Sequence, residues 1–250
     1  MTVLENSRAA ARNRPLRVVF PELGEDDRVA EAARILETEG LAHSLGLSDP
    51  TPEQLSALVD GRGMKEAIAK RMLNKPLYRA AAMVAANEAD IMVAGADSPT
   101  RRVIEAASIA IGLDEGVHMP SSFFLMCFPD GRELIFADCA VNVSPNSDEL
   151  LSIAMASDNT AQRLLGMSNV AMLSFSTGAS GSGESVDLVR EAAEAAGYIG
   201  PIQADAALNA TIAAKKGLGQ GDANVLIFPD LNSGNIAYKL CQELAGAQAI

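Results

Sequence analysis

Apolar positions along the chain alternate between two patterns. Short unbroken apolar runs are typical of buried parallel strands, whereas apolar residues spaced three or four apart are typical of helices packed on a sheet. Strands are predicted at residues 17–20, 42–47, 91–94, 170–175 and 225–228. Helices are predicted from Asp26 to a stop at Gly40, from a capping box at Thr51 and Gln54, and at residues 64–73, 77–87, 100–111, 146–165, 186–196, 205–214 and 236–247. This alternation predicts an α/β protein.

The middle of the chain departs from that alternation. Residues 122–128 and 133–137 are predicted to form a hairpin, because Pro129-Asp-Gly-Arg132 between them has turn chemistry. An antiparallel pair inside such a pattern indicates a sheet edge or the start of a second domain. We therefore expect two α/β domains, one formed by residues 1–118 and one by residues 119–250.

Composition excludes several classes of protein. The 250 residues include 20 Lys+Arg and 32 Asp+Glu, giving a net charge of −12 without any basic cluster, which argues against a nucleic-acid partner. No apolar run approaches the ~18 residues that span a bilayer, and residues 1–16 lack the apolar segment of a secretory signal. Three separated Cys and two His favour neither a disulfide framework nor a protein-ligated metal centre. We expect a cytoplasmic protein without metal.

A glycine- and serine-rich loop at residues 174–185 lies between a predicted strand and a predicted helix. Its glycines allow close approach of the backbone to a ligand, and the N–H groups at the helix start favour an anion. Ser176, Thr177, Ser180 and Ser182 add hydroxyl donors. The loop has neither the Gly-Lys-Ser/Thr of a P-loop nor the G-x-G-x-x-G of a dinucleotide fingerprint. Its composition leaves open a phosphate-binding loop and a flexible surface loop.

A second loop, residues 228–235, joins a predicted strand to a predicted helix with Asp230, Asn232 and Asn235. Strand ends of this kind bind ligands in open α/β sheets, and Asn side chains both donate and accept hydrogen bonds. An Asx-turn with a helix N-cap is the structural alternative. Arg101-Arg102 is consistent with either a phosphate contact or a solvated helix face. Cys139 has no neighbouring base in the sequence, so we expect no nucleophilic role.

Both loops together resemble the phosphate acetyltransferase (phosphotransacetylase) family. The segment VAMLSFSTGASGSG, residues 170–183, is similar to the family pattern VAMLSYST-x-x-SG-x-G, and VLIFPDLNSGNIAYK, residues 225–239, is similar to IFPDLN-x-GN-x-x-YK. Residues 17–22, 89–96, 121–124 and 138–142 match other family segments in order. The DLN-x-GN element is specific, and the resemblance covers nearly all of the chain from Arg17.

The resemblance implies two α/β domains with mostly parallel sheets and a cleft, a phosphotransacetylase/isocitrate-dehydrogenase-like fold, usually in a homodimer. The implied reaction is reversible acetyl transfer between coenzyme A (CoA) and phosphate by direct thiolate attack. CoA, acetyl phosphate and phosphate are then the binding partners, and no cofactor is implied. A base would help the reaction, because a free thiol titrates near ~8.5. The residues marked for substrate binding are Thr100, Arg102, Ser176, Thr177, Ser180, Gly181, Asp230, Asn232, Gly234 and Asn235.

The chain departs from the family pattern at three places. A shortened segment before Thr100 leaves open whether Arg101 or Arg102 is the family's phosphate-side arginine, and a second family arginine aligns with Val59, with Arg62 nearby. The family pattern continues past Ile250 with an N-D-L-S-R-G element and an Asp base, where we expect the catalytic residues. We therefore expect a truncated enzyme with weak or no turnover. The alternatives are a non-catalytic acyl-CoA-binding or regulatory phosphotransacetylase-like module and a phosphate butyryltransferase.

Overall fold

The computed structural model describes residues 2–250, which divide into two compact units, Val3–Glu115 and Gly116–Ile250. The elements of the first unit are α1 Val3–Asn13, β1 Leu16–Val19, α2 Asp27–Thr38, β2 Ala42–Leu45, α3 Pro52–Val59, α4 Glu66–Leu73, α5 Pro76–Ala85, β3 Ile91–Met92 and α6 Thr100–Ala110. Those of the second unit are β4 Phe124–Cys127, β5 Glu133–Ala137, α7 Ser147–Leu165, β6 Val170–Leu173, α8 Glu184–Ala196, β7 Ile199–Ile202, α9 Ala204–Leu208, α10 Ala210–Lys216, β8 Val225–Ile227, α11 Leu231–Ala245 and β9 Gln248–Ala249. The α/β fold class is confirmed.

The first unit contains a three-stranded parallel sheet in the order β2-β1-β3. The β1–α2 loop ends at Asp26, whose carboxylate accepts the N–H groups of Arg28 and Val29 and so caps α2. Helices α3 to α6 enclose a separate core in which Leu58, Leu73 and Tyr78 are almost fully buried. The first unit therefore has a helical core in addition to the apolar residues packed on its sheet.

The prediction that residues 91–94 form a strand buried on both faces is wrong. β3 is only Ile91–Met92, and it forms the edge of the sheet, beside β1. Ile91 and Val93 are 40% and 49% exposed. An apolar run shows that a strand could be buried. The strand is buried only if another element packs on each of its faces.

The capping box predicted at Thr51 is half present. The Thr51 hydroxyl accepts the Gln54 N–H at 3.1 Å, as a cap does. The Gln54 side chain turns away from Thr51, is fully buried, and donates to Ser48 Oγ at 2.9 Å and to Glu88 Oε2 at 2.7 Å. A carboxylate is the stronger acceptor, so the long-range bond to Glu88 replaces the expected local one.

The second unit contains a six-stranded sheet in the order β7-β6-β8-β5-β4-β9. The strands from β7 to β5 are parallel, whereas β4 pairs antiparallel with both β5 and β9. The hairpin prediction is confirmed, with Phe124 opposite Phe136. The predicted capping box of Asn146 and Glu149 is also present and begins the long helix α7.

Two predictions in the second unit need correction. The helix predicted at residues 205–214 is two helices, α9 and α10, because Asn209 adopts an extended backbone and caps α10 through the N–H groups of Thr211 and Ile212. Strand β7 was not predicted, since its Gly200-Pro201 pair argues against a strand. It occupies the edge of the sheet, where proline is tolerated.

Candidate functional site

Three loops of the second unit lie side by side at the carboxyl edge of its sheet. β8 lies between β6 and β5, and all three run parallel. The loops that follow them are residues 174–183, 228–230 and 138–142. Parallel α/β sheets bind ligands at this edge, so the fold brings both predicted loops to a suitable position.

The glycine- and serine-rich loop is held by its own hydroxyl groups. Ser176 is 1% exposed, and its Oγ accepts the Gly181 N–H at 2.8 Å and lies 3.3 Å from Ser180 Oγ. Ser180 Oγ accepts the Thr177 N–H at 2.9 Å, and Gly178 N–H donates to the Pro201 carbonyl at 2.8 Å. The hydroxyls predicted to face a ligand are therefore used largely to fix the loop, which argues against a flexible surface loop.

A second group of bonds ties this loop to the start of α9. Gln203 N–H donates to Thr177 Oγ1 at 3.1 Å, and Thr177 Oγ1 donates to Gln203 Oε1 at 3.2 Å. Lys216 Nζ donates to the same Gln203 oxygen and to Asp205 Oδ1, each at 2.7 Å. The hydrogen bond from Lys216 lowers the pKa of Asp205. Thr177 is thus held from outside the loop by residues that the sequence patterns did not single out.

The start of helix α8 is the open part of this site. Gly183 precedes the helix with φ of 138° and ψ of 163°, a conformation available essentially to glycine alone, and it supplies no side-chain cap. The Val186 N–H donates to the Gly183 carbonyl at 2.9 Å, whereas the N–H groups of Glu184 and Ser185 have no partner among residues 2–250 and can attract an anion. Ser182 is exposed beside them. Arg190 from the same helix pairs with Asp187 at 2.5 Å, which offsets one of the first-turn acids.

In the second loop the structural alternative holds for Asp230 and Asn235. Asp230 caps α11 by accepting the Ser233 N–H at 2.8 Å, and Asn235 Nδ2 donates to the Cys139 carbonyl at 3.1 Å. Gly234 is required by a close approach, because a Cβ there would lie 2.4 Å from the Asp138 carbonyl oxygen. Asn232 is exposed in the first turn of α11 and is the amide of this loop that faces solvent.

Asp138 anchors the third loop and was not among the predicted site residues. Its carboxylate, 2% exposed, accepts the hydroxyl of Ser122, the N–H groups of residues 140, 141 and 142, and Asn142 Nδ2. The only sequence signal for this role was the match of residues 138–142 to a family segment. Burial, with the nearby Asp138 charge, raises the pKa of Cys139 to about 12, so Cys139 remains a thiol, as its lack of a neighbouring base predicted.

The remaining predicted residues lie on α6 in the first unit. Thr100 begins the helix and is exposed. Arg102 pairs with Glu105 at 3.3 Å while its side chain remains 64% exposed, and Arg101 is also exposed. These two arginines and Glu105 line a cavity of about 330 Å³. Both cations thus remain available to an anion.

Neither candidate for the second family arginine provides a free cation. Arg62 donates through Nε to the Ile109 carbonyl and through Nη2 to the Ser108 carbonyl, each at 3.1 Å, at the end of α6. Val59 packs against the helical core of the first unit. A guanidinium that caps carbonyls at a helix end stabilises that end, so Arg62 has a structural role here.

Neither a protein-built metal site nor a membrane-spanning helix is present among residues 2–250. From residue 2 to residue 250, His, Cys, Asp and Glu side chains form no group of three that could hold a metal ion. Over the same range, no helix combines the length and the apolar character that a bilayer crossing needs.

The mostly parallel sheet, the self-bonded loop and the open helix start define an α/β protein of the class that binds ligands at the carboxyl ends of its strands. A family model described as "Phosphate acetyl/butaryl transferase" matches residues 48–250. The chain therefore belongs to that family, as the resemblance predicted.

Relatives agree with this assignment. A phosphate acetyltransferase of Thermoanaerobacterium thermosaccharolyticum is 37% identical over 294 residues, covering 100% of this chain and 89% of the relative. One from Nitratidesulfovibrio vulgaris is 38% identical over 282 residues, but this chain spans only 40% of its length. The first alignment is longer than the 250 residues of this chain, so that relative has segments that are absent here.

Solved structures show the same fold. EutD phosphotransacetylase from Staphylococcus aureus matches with a TM-score of 0.89 and 32% identity, covering 99% of this chain and 88% of that one. A phosphotransacetylase from Streptococcus pyogenes matches with a TM-score of 0.90 at the same identity, covering 99% and 87%. The predicted fold family is thereby confirmed.

Proposed function

We propose that this chain is a phosphate acetyltransferase, which transfers acetyl reversibly between CoA and phosphate. The CoA thiolate attacks the carbonyl of acetyl phosphate, the new C–S bond forms, and phosphate leaves with the electrons of the broken C–O bond. The observation that carries the proposal is the uncapped start of α8 behind a loop fixed by Ser176 and Thr177. This arrangement presents N–H groups to an anion.

The charge of the chain makes these local donors necessary. The substrates are anions and the chain carries a net charge of −12, so no general electrostatic attraction assists binding. Backbone N–H groups at a rigid helix start and a few exposed cations provide the attraction instead. We assign phosphate binding to the open start of α8, and Thr100 and Arg102, exposed in the first unit, remain predicted substrate-binding residues.

The acetyl donor, the assembly and the location belong to the same proposal. The similar proteins named above favour acetyl over butyryl transfer, and CoA with phosphate requires no cofactor. A homodimer in the cytoplasm is expected. The dimer is supported by an exposed apolar stripe on α11, where Ile236, Leu240 and Leu244 are 57%, 51% and 82% exposed at four-residue spacing.

The test combines binding and turnover. CoA and phosphate binding are measured by calorimetry, and acetyl-CoA formation from acetyl phosphate is followed by thioester absorbance. Binding of CoA and phosphate together with acetyl-CoA formation would support the acetyltransferase. Binding without turnover would support a non-catalytic module instead, and absence of CoA binding would refute the proposal.

A pair of glycine substitutions tests the open helix start. Gly183→Ala forces a side chain into a glycine-only conformation and should weaken phosphate binding by roughly tenfold or more. Gly197→Ala, at the other end of α8 and with φ of 70°, is the matched control and should reduce stability without changing phosphate affinity. Equal phosphate affinity in both variants would contradict the assignment.

A further inference from the structure

Glu22 is a buried acid of the first unit to which the proposed reaction assigns no role. It follows β1 closely in sequence and is only 8% exposed. Its Oε1 accepts the N–H of Gly95 at 3.0 Å, just beyond β3. Its Oε2 is also buried and has no hydrogen-bond partner among residues 2–250. Buried carboxylate oxygens are nearly always paired, so this atom indicates a missing donor.

The same side chain lines a cavity at the carboxyl edge of the three-stranded sheet. The cavity has a volume of about 240 Å³. Apart from Glu22 and Arg28, its walls are apolar and formed by Phe20, Val29, Ala32, Val93, Ala94 and Ala96. The guanidinium of Arg28 is held by Asp26 at 2.6 Å and by the Ala96 carbonyl at 2.9 Å. The cavity therefore combines one acceptor with largely apolar walls and is open to solvent.

This combination selects the chemistry of the occupant. A carboxylate accepts hydrogen bonds and donates none, and it repels an anion. Phosphate and acetyl phosphate are therefore poor occupants. A group that carries a neutral N–H donor on an apolar or planar framework can donate a hydrogen bond to Glu22 Oε2 and pack against the apolar walls. CoA carries such donors in two places, the amides of its pantetheine arm and the amino group of its adenine.

We propose that Glu22 accepts a hydrogen bond from a neutral N–H group of CoA that enters this cavity. The inference rests on the proposed function, because CoA is its substrate. Gly95 fixes the carboxylate by holding Oε1, which leaves Oε2 for the ligand. Glu22 is thus a binding residue in the first unit, separate in sequence from the Arg101 and Arg102 pair.

Isothermal titration of CoA against Glu22→Gln tests the inference with minimal change of shape. The glutamine oxygen can keep the Gly95 bond, which turns the amide NH₂ toward the ligand and places donor against donor. We expect CoA affinity to fall by roughly tenfold or more while phosphate affinity is unchanged. Glu25→Gln is the matched control, because Glu25 lies exposed in the same loop and the charge change is identical.

A second variant changes another lining residue of the cavity. Ala32→Leu on α2 should fill part of the space and weaken CoA binding without touching Glu22, so the test survives if Glu22→Gln folds poorly. Competition by pantetheine would assign the donor to the amides, and competition by adenosine would assign it to the adenine. Competition by neither, or unchanged CoA affinity in both variants, would overturn the inference. Failure of the unmodified chain to bind CoA would refute the proposed function itself.

Discussion

Gly234→Ala is expected to destabilise the second unit, although alanine is the better helix former. Gly234 lies in the first turns of α11, where it faces the end of β5. An added Cβ would lie 2.4 Å from the Asp138 carbonyl oxygen and 3.0 Å from Cys139 Sγ. The closer obstacle is backbone, which cannot rotate away as a flexible side chain can.

The change in the free energy of unfolding of Gly234→Ala is the sum of one stabilising and two destabilising contributions. Replacing Gly by Ala inside a helix favours the folded state by about 1 kcal/mol. Relieving the contact requires α11 and the Asp138 peptide to separate by roughly 1 Å, and overpacking of this kind costs about 1–3 kcal/mol. The same shift would break the 3.1 Å bond from Asn235 Nδ2 to the Cys139 carbonyl, a further loss of about 1 kcal/mol. The net expectation is a loss of about 1–3 kcal/mol.

Urea denaturation followed by circular dichroism measures this difference. Asn232→Ala is the control, because Asn232 is exposed in the same helix and its replacement should change the free energy of unfolding by less than about 0.5 kcal/mol. If Gly234→Ala proves as stable as the unmodified chain, or more stable, the close approach does not constrain the fold and the reasoning fails.

Further predictions concern a thiol and a carboxylate. Cys139 is fully buried and its pKa is raised to about 12, so a thiol reagent at pH 8 should label it only after the protein unfolds. Cys139→Ala should remove the labelling that depends on unfolding, and rapid labelling of Cys139 in the folded protein would contradict its burial. The Arg17 hydrogen bond lowers the pKa of Asp90 to about 2, below its unfolded value of ~3.9. Its contribution should therefore be complete above pH 4 and lost toward pH 2, so the stability difference between the unmodified chain and Asp90→Asn should shrink over that range. An equal difference at pH 6 and pH 2 would refute the prediction.

Local sequence signals predicted the elements whose stabilising contacts are local. The Asn146 and Glu149 capping box forms within one helical turn, and the hairpin depends on the turn residues 129–132. The status of Ile91 as an exposed edge residue and the bond from Gln54 to Glu88 depend on partners far away in the sequence. No periodicity in a single segment contains that information.

The same distinction applies to the candidate site. The strand and helix patterns correctly placed both the glycine- and serine-rich loop and the Asp230 loop at strand ends. Which hydroxyls turn inward could not be predicted, because Thr177 is oriented by Gln203, which follows the unpredicted strand β7. The close contact between Gly234 and the Asp138 carbonyl likewise exists only once β5 and α11 are adjacent.

The shortness of β3 has a consequence for how this protein could associate with other chains. An exposed edge strand normally offers a row of free N–H and C=O groups on which another strand can assemble. Here the edge is two residues long, preceded by the ion-paired Asp90 and followed closely by Gly95 with φ of 113°. It is therefore too short to template fibre-like growth. Any self-association through Ile91 and Val93 is expected to use side-chain contact rather than strand addition, and to be reversible.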